Sequence, residues 1–564
     1  MLSAPARNGA SGFRTTAAAA ISGFALIVLL QWSHGVYQAE FGAHPDEPAH
    51  YVTGLLVHDY VAAGFPRDAM GFAENFYDHY PKVALLNWPP GFYMIQAAWT
   101  LTFSPSRPSV LLLMAFLTCI VAVLVVRALL PEVGPAYALL GGALFIVIPL
   151  VQRYAGMVMT EIPVALFSLL ATISFGRYLD RGWTRDSVLF GLFASAAIMT
   201  KGSGLALALV PPLAILLSGR LQLLKRANFW YPGAIVAVLA GPWTWLSRNV
   251  AMGGWQQKQL SVDYTWRAIF DFGKALFVPA SLIISAFALV GLAVTLIAIR
   301  RGRASGLWAA VIAQLFSVLI FHALVPASLD SRHVIPALPA WSMCAVVGVL
   351  FIAKGLTSRP RVLRWAPYYV AAAALVHTVS LAPHKGAGGF GAVVADQVNS
   401  ADNSDAVFLV SSDATGEGMF IAETALREKR PGHTIRRASK LLSTQRWDGG
   451  EYKIRVNNET ELLTLLEKER IRFVVLDASI PASLLAPHHQ LLRSAVANAP
   501  DRFTLRRTYP LARDYLVKKP PLVLPDGISV YELQHQPVTV VTHARSAPKG
   551  AAEARRATVS RSSY

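Results

Sequence analysis

The chain has 564 residues, 54% of them apolar and only 15% charged, with a formal net charge of +18. That balance is too apolar and too poor in charge for an ordinary soluble protein. The basic excess lies in short loops between apolar runs, in the C-terminal part and in a basic tail, with no aromatic-basic cluster, so it reads as membrane topology and not as nucleic-acid binding.

The first apolar segment, about Thr16 to Trp32, follows Arg7 and Arg14, and Val36-Tyr37-Gln38 beyond it makes a poor cleavage site. This predicts an uncleaved anchor with a cytoplasmic N-terminus. A long outer loop, about 33–108, comes next and holds the run His44-Pro45-Asp46-Glu47-Pro48-Ala49-His50-Tyr51. Carboxylates this close to a bilayer are costly and are usually kept for a task. Residues 85–103, with Asn87-Trp88-Pro89-Pro90-Gly91, are apolar enough to cross, but a crossing there would scramble the sidedness of the basic loops. They are expected to form a membrane-hugging or re-entrant helix.

Further spans are expected near 109–130, 136–152, 161–179, 187–200, 203–219, 228–247, 276–299, 305–325, 333–353 and 364–382, about eleven in all with the first. Four basic clusters orient them: Arg177, Arg181 and Arg185; Arg220, Lys225 and Arg226; Arg300, Arg301 and Arg303; Lys354, Arg359, Arg361 and Arg364. All four fall on one side when the spans alternate, the positive-inside pattern. Glu161, Lys201, the 248–275 loop and Asp330-Ser331-Arg332-His333 then lie on the outer face. The spans carry almost no charge, unlike those of an ion-coupled transporter, and His322 near a helix end reads as structural. Cys119 and Cys344, the only cysteines, lie within apolar runs and offer neither a disulfide framework nor a CxxC site.

After His384 the pattern changes. Strand-like Ala406–Val410, Arg472–Asp477, Phe503–Leu505 and Ile528–Tyr531 alternate with helical runs near 417–429 and 459–469, predicting an extracytoplasmic α/β domain over 384–535. Gly416-Glu417-Gly418 lacks the third glycine of a dinucleotide loop and reads as a helix start. Residues 536–564 read as a disordered basic tail. The division is thus a membrane domain over 1–383, the α/β domain and the tail.

Several motifs, in this order, resemble the C-type glycosyltransferases, in the branch of protein O-mannosyltransferases and lipid A aminoarabinose transferases. They are Pro45-Asp46-Glu47, Trp88-Pro89-Pro90-Gly91-Phe92-Tyr93, Arg153-Tyr154-Ala155-Gly156-Met157 through Glu161-Ile162-Pro163, Thr200-Lys201-Gly202 and Arg332-His333-Val334-Ile335-Pro336. The resemblance runs over most of 16–355. It implies a polytopic membrane protein of about eleven to thirteen helices that takes a sugar from a polyprenyl-phosphate donor.

It also implies Asp46 as general base, which chemistry supports independently: an attacking hydroxyl or amine must lose a proton, and a positioned carboxylate can take it. Nucleophile and leaving group would lie on opposite faces of the ring, as in inverting sugar chemistry. The leaving phosphate needs cations, and Lys201, Arg332, Arg248 and Lys82 are the outer-end candidates. Glu47 is expected to orient Asp46 or the acceptor, and Glu161 fills the family's second acidic position, commonly Asp. His333 and His50 complete the expected substrate-binding set. By residue type alone, His44, Asp46, Glu47, His50 and Glu161 could hold a divalent cation, without the order of a zinc-protease helix. The expected partners are a polyprenyl-phosphate-sugar donor, membrane lipid, and a protein, lipid or glycan acceptor, in a bacterial inner membrane with the C-terminal domain in the periplasm. A flippase of lipid-linked sugars is the alternative, and a membrane-anchored assembly protein a third reading.

Overall fold

The computed structural model describes residues 9–84, 86–255, 260–326, 328–356, 360–381, 384–445, 451–481, 485–513 and 522–534. The expected basic tail lies outside them.

Each predicted span overlaps at least one helix among the described residues, though not always without a break. Among the described residues six helices are long and apolar enough to cross a membrane: Gly12–Ser33, Arg107–Val133, Glu161–Arg181, Leu282–Arg300, Gly306–Leu324 and Ser331–Leu356. A bent pair, Pro135–Ile146 and Pro149–Ala155, kinks by 63° and makes a seventh if counted as one span. The remaining segments depart from unbroken spans for local reasons. Thr184–Thr200 ends at Lys201, whose backbone is extended (φ −157°, ψ 138°), before a 3-10 turn over Gly202–Leu209 and a short helix, Val210–Ser218. The region 228–247 divides into Ala227–Leu239 and Gly241–Trp255. Residues 85–103 give only a 12-residue helix, Gly91–Thr102, too short to cross.

Helix ends follow the sequence. Glu161–Arg181 stops at Gly182, which adopts the left-handed conformation (φ 67°) that glycine takes without steric cost. Leu282–Arg300 and Leu338–Leu356 approach so closely that a side chain on Gly291 or Gly348 would run into the facing backbone. Small residues permit this kind of membrane packing.

The C-terminal domain is a mixed α/β unit. Strands β1 (Val407–Ser411), β2 (Thr434–Arg437), β3 (Ser443–Thr444), β4 (Lys453–Ile454), β5 (Ile471–Asp477), β6 (Phe503–Arg513) and β7 (Leu522–Leu533) follow in chain order. The main sheet has the order β2-β1-β5-β7-β6, and β3 pairs only with β4. Its first three strands are parallel, crossed over by helices Ala414–Arg427 and Glu459–Lys468; β7 and β6 add antiparallel partners. Strand β2, Thr-Ile-Arg-Arg, and helix Pro487–Asn498 escape the sequence reading because both are largely polar.

At the carboxyl ends of the strands, buried Arg513 bonds Asp413 at 3.0 Å and Ser412 Oγ at 2.8 Å and pairs with Asp477. Asp477 in turn accepts from Ser412 Oγ (2.5 Å), Ser479 N (2.8 Å) and Ser479 Oγ (2.5 Å). This network bolts β1, β5 and β6 together.

A polar seam joins the C-terminal domain to the 33–108 loop. Arg430 holds Asp59 in a two-point pair, both bonds 2.8 Å, and Tyr80 donates to Glu428 Oε1 at 2.5 Å. Arg107 pairs with Glu423, Arg436 with Asp78 at 3.0 Å, and Lys82 Nζ donates to the Ala414 carbonyl at 2.9 Å.

Candidate active site

Asp46 caps helix Glu47–Ala62, with a proline in the first helical turn, yet its side chain makes no capping bond. The carboxylate turns outward instead. Its Oδ2 accepts from Arg332 at 2.9 Å and lies 3.6 Å from His44 Nδ1. Burial alone would raise the Asp46 pKa, but Arg332, then His44 and His50, outweigh it and hold the carboxyl below its usual value.

Arg332 is the second residue of the 3-10 turn Ser331–Ala337, which continues directly into helix Leu338–Leu356. Its Nε lies 3.7 Å from Glu161 Oε1 and 3.5 Å from Asp330 Oδ2. Glu161 is the first residue of its helix, where the dipole favours negative charge. Lys201, freed by the break after Thr200, reaches Glu161 Oε1 at 2.5 Å. The charges therefore alternate along a buried path: Asp46, Arg332, Glu161, Lys201. His44 Nε2 stands 3.9 Å from Asp330 Oδ2, and Asp330 is lowered despite burial, by His44 and then Arg332.

The arrangement is unfinished on one side. Glu161 Oε2, Arg332 Nε, Thr160 Oγ1 and His333 Nδ1 are all buried with no hydrogen-bond partner. Buried polar atoms normally have partners. These atoms offer acceptors and donors to a polar ligand.

Other expected residues sit differently. His50 is buried and bonds Tyr93 OH through Nδ1 at 2.8 Å, its ring 4.4 Å from that of Trp88. Burial pulls it down to about 4, so it is neutral at pH 7. His333 bonds Ser328 Oγ through Nε2 at 3.1 Å and packs beside His322, ring centroids 4.7 Å apart. Lys82 is at the domain seam, within electrostatic reach of Asp46, and burial first, then Arg437, brings it to about 7.

One expectation needs correction. Arg248 does not join the cluster: it is exposed, lies over the Trp245 ring at 4.7 Å and donates to the Trp245 carbonyl on its own helix. Glu47, next in the chain to Asp46, is held by a different set of partners. Its carboxylate accepts from Ala43 N (3.2 Å) and Val158 N (3.3 Å) and lies 3.7 Å from Lys385 Nζ. Nor do the residues fit the divalent cation that residue type alone would allow: among the described residues no three His, Cys, Asp or Glu converge as ligands. Arg332 and Lys201 already face the two carboxylates that would bind it. Lys385 escaped the sequence reading, although it stands just past the last apolar run.

Residues 80–255 match the family model described as dolichyl-phosphate-mannose-protein mannosyltransferase. Among solved structures, ArnT from Cupriavidus metallidurans bound to undecaprenyl phosphate superposes with a TM-score of 0.54 at 12% identity, covering 91% of this chain and 97% of that one. The fold is that of a C-type membrane glycosyltransferase. The archaeal oligosaccharyltransferase AglB from Archaeoglobus fulgidus, in complex with an inhibitory peptide and a dolichol-phosphate, superposes with a TM-score of 0.51 at 11% identity, covering 83% and 69%. No curated protein matches the chain by sequence. The mannosyltransferase match and the ArnT likeness agree with the branch indicated by the motifs, and the six or seven candidate spans make the chain a multi-pass membrane protein of this fold.

Proposed function

We propose that this protein transfers a sugar from a polyprenyl-phosphate donor to an acceptor at the outer face of a bacterial inner membrane, with inversion, using Asp46 as general base. The observation that carries this reading is the buried alternation of Asp46, Arg332, Glu161 and Lys201. The bound undecaprenyl phosphate of ArnT and dolichol-phosphate of AglB support the donor class.

The chemistry follows from the charges. The acceptor's nucleophile attacks the anomeric carbon as Asp46 takes its proton, and the phosphate leaves from the opposite face. Lys201 and Arg332 stabilise the charge developing on that phosphate, with Lys82 as a third cation at the seam. A phosphate drawing on Arg332 also loosens that residue's hold on Asp46. The carboxylate becomes more basic once the donor is in place. Glu161 keeps both cations oriented while the site is empty. His333 and neutral His50 line the donor and acceptor region, and the C-terminal domain, docked over the 33–108 loop, selects the acceptor.

The decisive experiment is purification with native lipids, identification of co-purified polyprenyl-phosphate sugars by mass spectrometry, and their return to the enzyme with candidate acceptors. Donor consumption that requires Asp46 supports the reading and names the sugar. Saturable movement of an intact lipid-linked sugar, unaffected by Asp46→Asn, replaces it with the flippase.

A further inference from the structure

The polypeptide leaving helix Pro360–Leu381 does not enter the C-terminal domain as a free linker. Residues 385–391 are stitched to the segment just before Asp46. Lys385 N donates to the His34 carbonyl and Glu40 N to the Ala387 carbonyl, both at 2.7 Å. Glu40 Oε1 accepts from Gly389 N at 3.0 Å and Gly391 N at 2.8 Å. Gly35, at φ +74°, lies so close to the Lys385 carbonyl that a side chain there would collide with it.

These bonds aim the Lys385 side chain inward. It is 8% exposed, donates to the Gly156 carbonyl and lies 3.7 Å from Glu47 Oε1. Glu47, 1% exposed, binds the amides of Ala43 and Val158. One buried pair thus gathers three segments: the turn before Asp46, the 156–160 turn leading into Glu161, and the entry to the C-terminal domain. Burial raises the Glu47 pKa and Lys385 is the main opposing charge, so removing the lysine leaves a carboxylate that gains a proton or is stranded.

We propose that Lys385 is a positioning residue that, through Glu47, fixes the spacing of Asp46 and Glu161 and so ties their geometry to the docked C-terminal domain. This rests on the roles proposed for those two carboxylates. A displacement of about 1 Å in such a site costs on the order of 10²-fold in rate.

The test uses the full-length protein in lipid nanodiscs and two readouts. Hydrogen exchange of the Ala43 and Val158 amides, which needs no substrate, should quicken about tenfold in Lys385→Met, with β5 still protected. Turnover should fall about 10- to 100-fold in kcat with the donor KM within about twofold. Lys385→Arg should recover most of both. Adding Glu47→Gln to Lys385→Met should cost no more than Lys385→Met alone, because the pair acts as a unit. Unchanged exchange and turnover in Lys385→Met, or fully additive losses, would overturn the proposal. So would loss of β5 protection in Lys385→Met unless Glu47→Gln reproduces the loosening with that protection intact. A wild-type protein that transfers no sugar removes the parent reading but leaves the exchange result to decide the clamp.

Discussion

Two Asp–Arg networks in this molecule, each built on a buried aspartate, look alike on paper and differ in one respect. Around Arg513, Asp413 and Asp477, no buried side-chain atom of the described residues lacks a partner, and several hydroxyls and an amide complete the bonding. Around Asp46, Arg332 and Glu161, four buried polar atoms from Thr160, Glu161, Arg332 and His333 have none. A closed network spends its hydrogen bonds on holding strands in place. An open one keeps some for a ligand, at a standing cost to the protein that holds it. Charge content alone would not separate the two; the unpaired atoms do.

The largest effect is expected at the open network. Asp46→Asn should lower turnover about 10²–10⁴-fold with folding and donor binding intact, measured by product formation and lipid co-purification. Glu161→Gln should lower it less. The closed network should respond in stability: Arg513→Met strands the buried Asp477 carboxylate and should destabilise the C-terminal domain by about 3–5 kcal/mol, read as lost exchange protection in β5. If Arg513→Met left stability untouched, the contrast between the networks would fail.

Donor affinity comes next. Lys201→Ala or Arg332→Gln should weaken polyprenyl-phosphate binding about 10- to 100-fold, more than acceptor use, as expected for a lost charge-assisted bond. A gentler probe is pH. Lys82, held near 7, carries its charge below that value and loses it above, so kcat/KM for the donor should fall as pH rises through about 7. Lys82→Arg should move this limb upward, because guanidinium stays protonated. Asp46, held below the usual carboxylate value, should leave the acid limb low. The smallest effect belongs to Arg248→Ala, expected within about twofold of wild type because the residue is exposed and engaged only with its own helix.

Much of this was legible in the sequence because it depends on local pattern. Apolar runs gave the helices, and cations and carboxylates at their ends, Asp46, Glu161, Lys201 and Arg332, are brought together by the bundle. The rest depends on placement in three dimensions. Arg248 satisfies the same end-of-span rule, and only its exposure and its stacking on Trp245 exclude it. Glu47 is adjacent to Asp46 in the chain, but the helix start turns the two carboxylates toward different partners. Lys385 carries no periodic signal, since its role depends on backbone bonds to His34 and Glu40, hundreds of positions earlier. The break at Lys201 falls between two expected spans, 187–200 and 203–219, but composition alone does not show that the second begins as a 3-10 turn over Gly202–Leu209.

The seam between the 33–108 loop and the C-terminal domain sets an order of events during synthesis. Tyr80 waits for Glu428, 348 residues downstream, and Asp59 for Arg430, 371 downstream. Chains emerge N-terminus first, and contacts this distant form only after the intervening chain exists. A ribosome-bound intermediate can insert its helices and bring Asp46 near Arg332, but it lacks Lys385 and everything that docks over the loop. The Glu47–Lys385 pair and the seam over the 33–108 loop are therefore the last parts of the molecule to close.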